Sequence, residues 1–367
     1  MINWIELHRD AWAQIQSAKA ADHLAHALLL TGSAGIGKLA FAEAVAASLL
    51  CDTPGPVGVA CGQCTACTWH ASGNHPDFRR LRPEAYSEEL PESEDAKPGA
   101  KADKKKSEQI RIDQVRALES FIQVGSHRGR RIILIEPAEA MNEATANALL
   151  KSLEEPPSGV HFLLVSHAAE RLLPTVRSRT RTVPMTVPSE AVARAQIAAC
   201  QPPLRQGVLW LNRCAGALRF AVTLAQADEK QPGATEEAIA EVNIVDALLS
   251  QLPLGARMDP LALAKTCETL IKGDQSGLRL ALLIDWLQRW TLDLQLVRLG
   301  SVPLIFPEQI TAIQRLAGAL NEDALQEFPD FLLSCRRLSG HPLNIKLFLE
   351  SVFSRTMALY ETQAEAL

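Results

Sequence analysis

Several things are missing from this sequence, and each absence removes a class of function. No apolar run approaches the roughly twenty residues that a membrane-spanning helix needs. The longest stretches, such as the one around Ala25 to Leu30, are far shorter. The opening residues Met1-Ile2-Asn3-Trp4-Ile5-Glu6 carry neither a basic region nor an apolar core behind one. No export signal is therefore expected, and a cytoplasmic location with no membrane attachment is. An excess of positive charge is also lacking: 37 Lys and Arg stand against 42 Asp and Glu, a formal net charge of −5. Contact with nucleic acid must then come from a local patch or from partner subunits. No internal repeat is found.

What is present is the composition of a globular chain, 47% hydrophobic and 22% charged, and 367 residues suffice for two or three domains with their own cores. The eight cysteines are unevenly placed. Cys51, Cys61, Cys64 and Cys67 crowd together, whereas Cys200, Cys214, Cys267 and Cys335 are scattered through helical-looking sequence as small buried hydrophobes.

The first part of the chain alternates strand-like and helix-like segments. His26 to Thr31, Arg131 to Glu136 and His161 to Ser166 are short apolar runs of the kind buried in parallel sheets. Leu39 to Leu50 follows the first as an Ala-rich helix. Between the other two, Asn142 is a predicted helix cap, Ala146, Leu149, Leu150 and Leu153 keep helical spacing, and Pro156-Pro157 ends the helix. The order implies an α/β domain. Tyr86 to Ser107, rich in Glu, Lys, Pro, Ser and Ala, reads as a mobile surface loop, and its Lys104-Lys105-Lys106 as a solvated linker or, alternatively, a nucleic-acid contact. After Pro184 the strand signal fades. Ser189 to Cys200 is expected to be a helix, Asp228 to Glu237 a linker, and Leu278 to Leu299, Glu308 to Leu320 and Asn344 to Tyr360 are helix-patterned. The expected architecture is α/β plus all-α. A P-loop domain over residues 1–186 holds a tetracysteine module at 51–67 and the loop at 86–107, followed by a small helical domain at 187–230 and a C-terminal helical domain at 238–367.

Gly32-Ser33-Ala34-Gly35-Ile36-Gly37-Lys38 follows the first strand and opens a helix, the context in which G-x-x-x-x-G-K binds phosphate. Backbone N–H groups at Gly32, Gly35 and Gly37 close around phosphate oxygens at a helix N-terminus, and Lys38 reaches the outer phosphates. The next position needs a hydroxyl to ligate Mg²⁺, and it is Leu39. After the second strand, Glu136 can serve as the metal-side carboxylate, but Pro137 stands where a general base is expected, an absence costing on the order of a hundredfold in rate. ATP or ADP can be held; hydrolysis is not expected.

Cys51-x₉-Cys61-x₂-Cys64-x₂-Cys67 can close a tetrahedral shell around a structural Zn²⁺ with no open position for catalysis. Two disulfides are the alternative and fit a reducing compartment poorly. His70 can displace one cysteine, and His75 reads as a turn residue. Arg177 and Arg179 are either solvated surface or an arginine finger directed at a neighbour's γ-phosphate.

Taken together, these residues resemble the delta-prime-type subunits of the bacterial DNA polymerase III clamp loader, a family within the AAA+ superfamily. The resemblance covers nearly the whole chain. It rests on the tetracysteine insert with His75-Pro76-Asp77, on Ile112-Asp113-Gln114-Val115-Arg116, on Ala146 to Pro157, on Arg177-Ser178-Arg179 and on Gly340-His341-Pro342-Leu343-Asn344. It implies a five-subunit ring in which this chain accompanies gamma/tau and delta subunits, and through which it meets the sliding clamp and primed DNA. The helical parts are then a lid and an oligomerisation collar. It further implies that Arg179 enters the ATP site of an adjacent gamma/tau subunit, with Thr180 in place of the family's usual Cys, and that Ser166 holds the sensor 1 position. Arg219 is either the sensor 2 arginine or a surface helix residue. Lys38 departs from the non-binding P-loop of the best-known members. The alternatives are an active gamma/tau-type ATPase, which Leu39 and Pro137 oppose, and a zinc-dependent nucleic-acid-binding regulator, which the acidic charge opposes.

Overall fold

The computed structural model describes residues 2–84, 107, 109–123, 129–272, 278–320 and 322–360. All of the 86–107 segment except Ser107 lies outside the described residues. The chain divides into two compact units, Ile2–Val192 and Ala193 onward.

The first unit begins with α1 (Trp4–Leu7) and α2 (Arg9–Ala20), then β1 (Ala27–Thr31), α3 (Lys38–Leu50), α4 (Thr65–Ala71) and β2 (Phe78–Leu81). It continues with α5 (Ile112–Gln123), β3 (Arg131–Ile135), α6 (Glu143–Glu154), β4 (Val160–Ser166), α7 (Pro174–Ser178) and β5 (Arg181–Pro184). The five strands are parallel, in the order β2-β3-β4-β1-β5. Side chains of a strand alternate between faces, and here both faces are apolar. Leu28, Leu30, Ile132, Leu134, Leu163 and Val165 pack on α2 and α3. Ala27, Leu29, Ile133, Ile135, Phe162 and Leu164 pack on α5, α6 and α7. That is why the central strands read as continuous apolar runs rather than alternating ones.

The capping inferred at Asn142 is present: its side-chain oxygen accepts from Thr145 N–H at 2.9 Å. The two sheet edges did not declare themselves in the sequence. β2 (Phe-Arg-Arg-Leu) and β5 (Arg-Thr-Val-Pro) each pair on one side only. Edge strands tolerate charge and proline that a central strand would exclude.

The second unit is helical. α8 (Glu190–Ala198), across which the division falls, is followed by α9 (Gly207–Arg213), α10 (Leu218–Asp228), α11 (Glu236–Gln251) and α12 (Pro260–Ile271). Then come α13 (Leu278–Arg298), α14 (Ile310–Ala319), α15 (Glu322–Leu338) and α16 (Ile345–Ala358). Its core is aromatic: Trp286 lies edge-on to Trp210 at 6.1 Å, and Phe306 packs on Trp286 and Trp290. The buried Asp293 carboxylate accepts from the backbone N–H groups of Leu304, Ile305 and Phe306, fixing the chain that delivers Phe306 to this cluster. No helix among the described residues is long and apolar enough to cross a membrane.

Candidate functional site

β1 lies between β4 and β5, so its carboxyl end opens where the strand order turns back, the usual binding crevice of open parallel sheets. Thr31 is in register with Ser166 of β4, and the glycine-rich turn follows it into α3. Two glycines there are required by their surroundings. Gly32 has φ +145°, and a Cβ on it would sit 2.2 Å from the Met185 carbonyl oxygen. Gly37 has φ +94°, and its Cβ would sit 2.2 Å from the Trp4 ring. Gly35, with φ +77°, completes the turn.

Lys38 is 2% exposed. Its Nζ donates to the Gly32 carbonyl at 2.7 Å and to the Ser33 carbonyl. Burial pushes its pKa from 10.5 down to about 8, against the opposite pull of Glu139 and Glu136. Leu39 packs against the apolar cluster on the α2–α3 face of the sheet, as does Ile5 from α1. An apolar contact thus occupies the position where phosphate-loop ATPases present a hydroxyl. Glu136 leaves the end of β3 half-buried, with Oε1 at 3.9 Å from His167 Nε2. Pro137 leads into a short 3-10 turn, Ala138–Ala140. Ser166 is fully buried, and its hydroxyl accepts from Ala168 N–H at 3.3 Å.

The site contains four residues that sequence reasoning did not single out. The Trp4 ring lies against Gly37. His8 Nε2 bonds the Ile36 carbonyl at 2.8 Å, so the imidazole is the donor, and burial holds its pKa low. Glu139 Oε1 accepts from the His167 backbone N–H at 2.8 Å, joining the turn after β3 to the loop after β4. His167 is itself held below its ordinary pKa, first by burial and then by Lys38, with Glu139 opposing. The Glu-Pro-Ala-Glu spacing was the available signal for Glu139, since a turn begun at Pro137 returns the second glutamate to the strand ends. Trp4 and His8 had none, because Trp4 opens the four-residue α1, His8 joins α1 to α2, and both reach the loop only through the fold. His8 and Met185 also line a cavity of about 470 Å³, with Leu7, Ala11, Pro184 and Val192.

The four clustered cysteines are brought together. None is in a disulfide, and their sulfurs all lie within 4.8 Å of one another. The Cys51–Cys64 and Cys61–Cys67 separations are both 3.9 Å. A tetrahedral ion with metal–sulfur bonds of about 2.3 Å has an edge of about 3.8 Å, so the set fits such an ion. Backbone N–H groups of Cys61, Cys64 and Cys67 point at Cys51, Cys61 and Cys64 sulfurs at 3.3 to 3.4 Å, an arrangement suited to thiolates. Among the described residues no other group of three or more His, Cys, Asp or Glu side chains is gathered closely enough to hold a metal ion. His70 stands outside the set, packed on Phe78 at 4.8 Å. His75 accepts the Asp77 backbone N–H at 3.0 Å, as a turn residue does.

Arg179 caps the C-terminal end of α7 and is separate from the phosphate loop in sequence and element. Its Nη2 meets Glu154 Oε1 at 2.6 Å, and its Nη1 donates to the Thr175 carbonyl at 3.0 Å. Arg177 is exposed on the same short helix. Arg219 lies exposed in the first turn of α10, in the second unit.

The parallel sheet with this strand order, its phosphate loop after β1 and the helical unit that follows define a P-loop protein of AAA+ architecture. A gamma subunit-related DNA polymerase III protein from Thermotoga maritima has the same fold, with a TM-score of 0.51 at 18% identity, covering 95% of this chain and 100% of that one. Residues 7–189 match the family model described as DNA polymerase III, delta subunit, and residues 243–356 the one described as DNA polymerase III, delta subunit, C terminal. The chain is 35% identical to DNA polymerase III subunit delta' of Pseudomonas aeruginosa over 360 residues, 95% of each. It is 28% identical to the gamma/tau subunit of Mycobacterium tuberculosis over 308 residues, 79% of this chain but 48% of that one. The chain belongs to the family of DNA polymerase III delta-prime subunits, the clamp-loader proteins of DNA replication.

Proposed function

We propose that this chain is a non-hydrolysing clamp-loader subunit that donates Arg179 to an ATP site on a neighbouring gamma/tau-type subunit. Together with that subunit and a delta-type subunit it helps place the sliding clamp on primed DNA in the cytoplasm. The observation that carries this reading is Leu39, whose partly buried side chain packs against the apolar cluster at the one position where a hydroxyl must face the metal. Pro137 adds to it, because the residue that directly follows Glu136 carries no side-chain base.

The phosphate loop then serves as a holding site. Gly32, Gly35 and Gly37 present backbone N–H groups, Lys38 supplies the cation, and Glu136 and Ser166 serve the outer phosphates. Bound ATP or ADP stiffens the loop without being turned over, with its base in the cavity beside His8. Zn²⁺ on Cys51, Cys61, Cys64 and Cys67 supplies a structural cross-link and no chemistry. Residues 187–230 act as the lid and residues 238–367 as the oligomerisation collar.

The test is the ATPase rate of the reconstituted complex with Arg179→Ala. An arginine finger contributes about a thousandfold or more at the site it serves. The variant is therefore expected to assemble normally and lose one site's share of turnover; unchanged turnover rejects the assignment. A second reading, an active gamma/tau-type ATPase, is favoured by the retained Lys38 and by Glu139 beside it. Steady-state hydrolysis by the isolated chain, abolished in Lys38→Ala, would establish it instead.

A further inference from the structure

The guanidinium of Arg179 is folded back, not extended. Nη1 reaches the carbonyl of Thr175, one turn earlier on the same helix, and stands 3.4 Å from the Ser178 hydroxyl. Nη2 is held by Glu154 at 2.6 Å. All three partners lie in this chain, and Glu154 comes from a different element, as the last residue of α6. A carboxylate there faces the negative end of the helix dipole, so a cation beside it relieves an unfavourable placement. The arginine side chain is 35% exposed and the glutamate 47%. A pair this open to water shifts an equilibrium by no more than about fivefold. It is strong enough to bias a long flexible side chain, and weak enough to yield to a polyphosphate, which offers the guanidinium a bidentate, more highly charged partner.

We propose that Glu154 is an intramolecular latch that retracts Arg179 until a neighbouring subunit presents the outer phosphates of ATP, which compete for the guanidinium and draw it out. The inference rests on the assignment of Arg179 as the finger. Glu154 is a positioning residue in this scheme: it touches no nucleotide and acts only through Arg179. The latch opposes engagement, so removing its charge makes the finger more available.

The experiment compares six versions of the full chain in the reconstituted complex: wild type, Glu154→Gln, Glu154→Ala, Arg179→Ala and the two double variants. ATPase is measured at several ATP concentrations, and assembly is verified by size-exclusion chromatography. Glutamine keeps the shape and an acceptor but removes the charge. Glu154→Gln is expected to raise turnover about two- to fivefold, with Glu154→Ala changing it in the same direction. Neither substitution should have any effect in the Arg179→Ala background. If Glu154→Gln leaves turnover unchanged or lowers it while Arg179→Ala lowers it, the latch is overturned and the finger stands. If Glu154→Gln still acts when Arg179 is absent, the glutamate works elsewhere and the latch is again overturned. If Arg179→Ala changes nothing, the finger assignment fails and the latch with it.

Discussion

Replacing Lys38 by methionine keeps the aliphatic stem inside the phosphate loop and deletes the ammonium group. In the free protein that ammonium is buried and, among the described residues, bonded to the carbonyls of its own loop, Gly32 and Ser33. Its pKa falls from 10.5 to about 8, which corresponds to a cost of about 3 kcal/mol for holding the charge in the folded state. Methionine removes that cost but leaves two carbonyls without their donor. Gly32 is half-buried and Ser33 exposed, so water replaces much of the lost bonding and only about 1–2 kcal/mol is returned. The net expectation is that Lys38→Met is more stable than wild type by about 1–2 kcal/mol at pH 7, while phosphate binding is lost. The pH dependence follows from the direction of the shift. Below about pH 8 the lysine is charged in both folded and unfolded chains, so the full cost is present and flat. Between about 8 and 10.5 only the unfolded chain holds the proton, so wild-type stability rises with pH and the variant's advantage shrinks. Urea denaturation followed by circular dichroism at pH 7 and pH 9.5 reads both quantities. A variant no more stable than wild type at pH 7, or a gap that does not narrow at pH 9.5, refutes the reasoning.

Metal analysis of the purified protein is expected to give one zinc per chain, and chelation or Cys64→Ser should raise hydrogen exchange in the 51–71 segment while β1 stays protected; metal loss with unchanged exchange would remove the structural role. In the second unit, Asp293→Ala leaves the buried amides of Ile305 and Phe306 without an acceptor. At about 1–3 kcal/mol for each orphaned group, a loss of about 3–5 kcal/mol is expected by chemical denaturation, and a loss under 1 kcal/mol would show that the carboxylate is dispensable.

The central strands, the phosphate loop and the cysteine module were legible because each is written in local sequence: continuous apolar runs, a glycine pattern between strand and helix, and thiols at short spacing. The helix after β3 was equally plain, since Asn142 caps it and apolar residues keep its period. β2 and β5 were not, because an edge strand is bonded on one side and carries arginine or proline without penalty. Lys38 and Leu39 could be named from the motif, but their states could not. A lysine expected to reach outward lies against its own loop carbonyls, and a leucine that looked like a deletion of chemistry turns out to pack, partly buried, against the apolar cluster on the α2–α3 face of the sheet.

By itself, then, the sequence determined which segments bury both faces in a sheet, which four sulfurs could share an ion, and that the phosphate loop lacks its hydroxyl. These follow from periodicity, from spacing and from the identity of single side chains. Only the tertiary structure decided that Trp4 and His8 brace the loop from the N-terminal helices, that Glu139 ties the ends of β3 and β4 together, and that Glu154 holds Arg179. Each of these contacts joins separate elements, across gaps of up to about 30 residues, and through-space electrostatics and packing leave no trace in a local pattern.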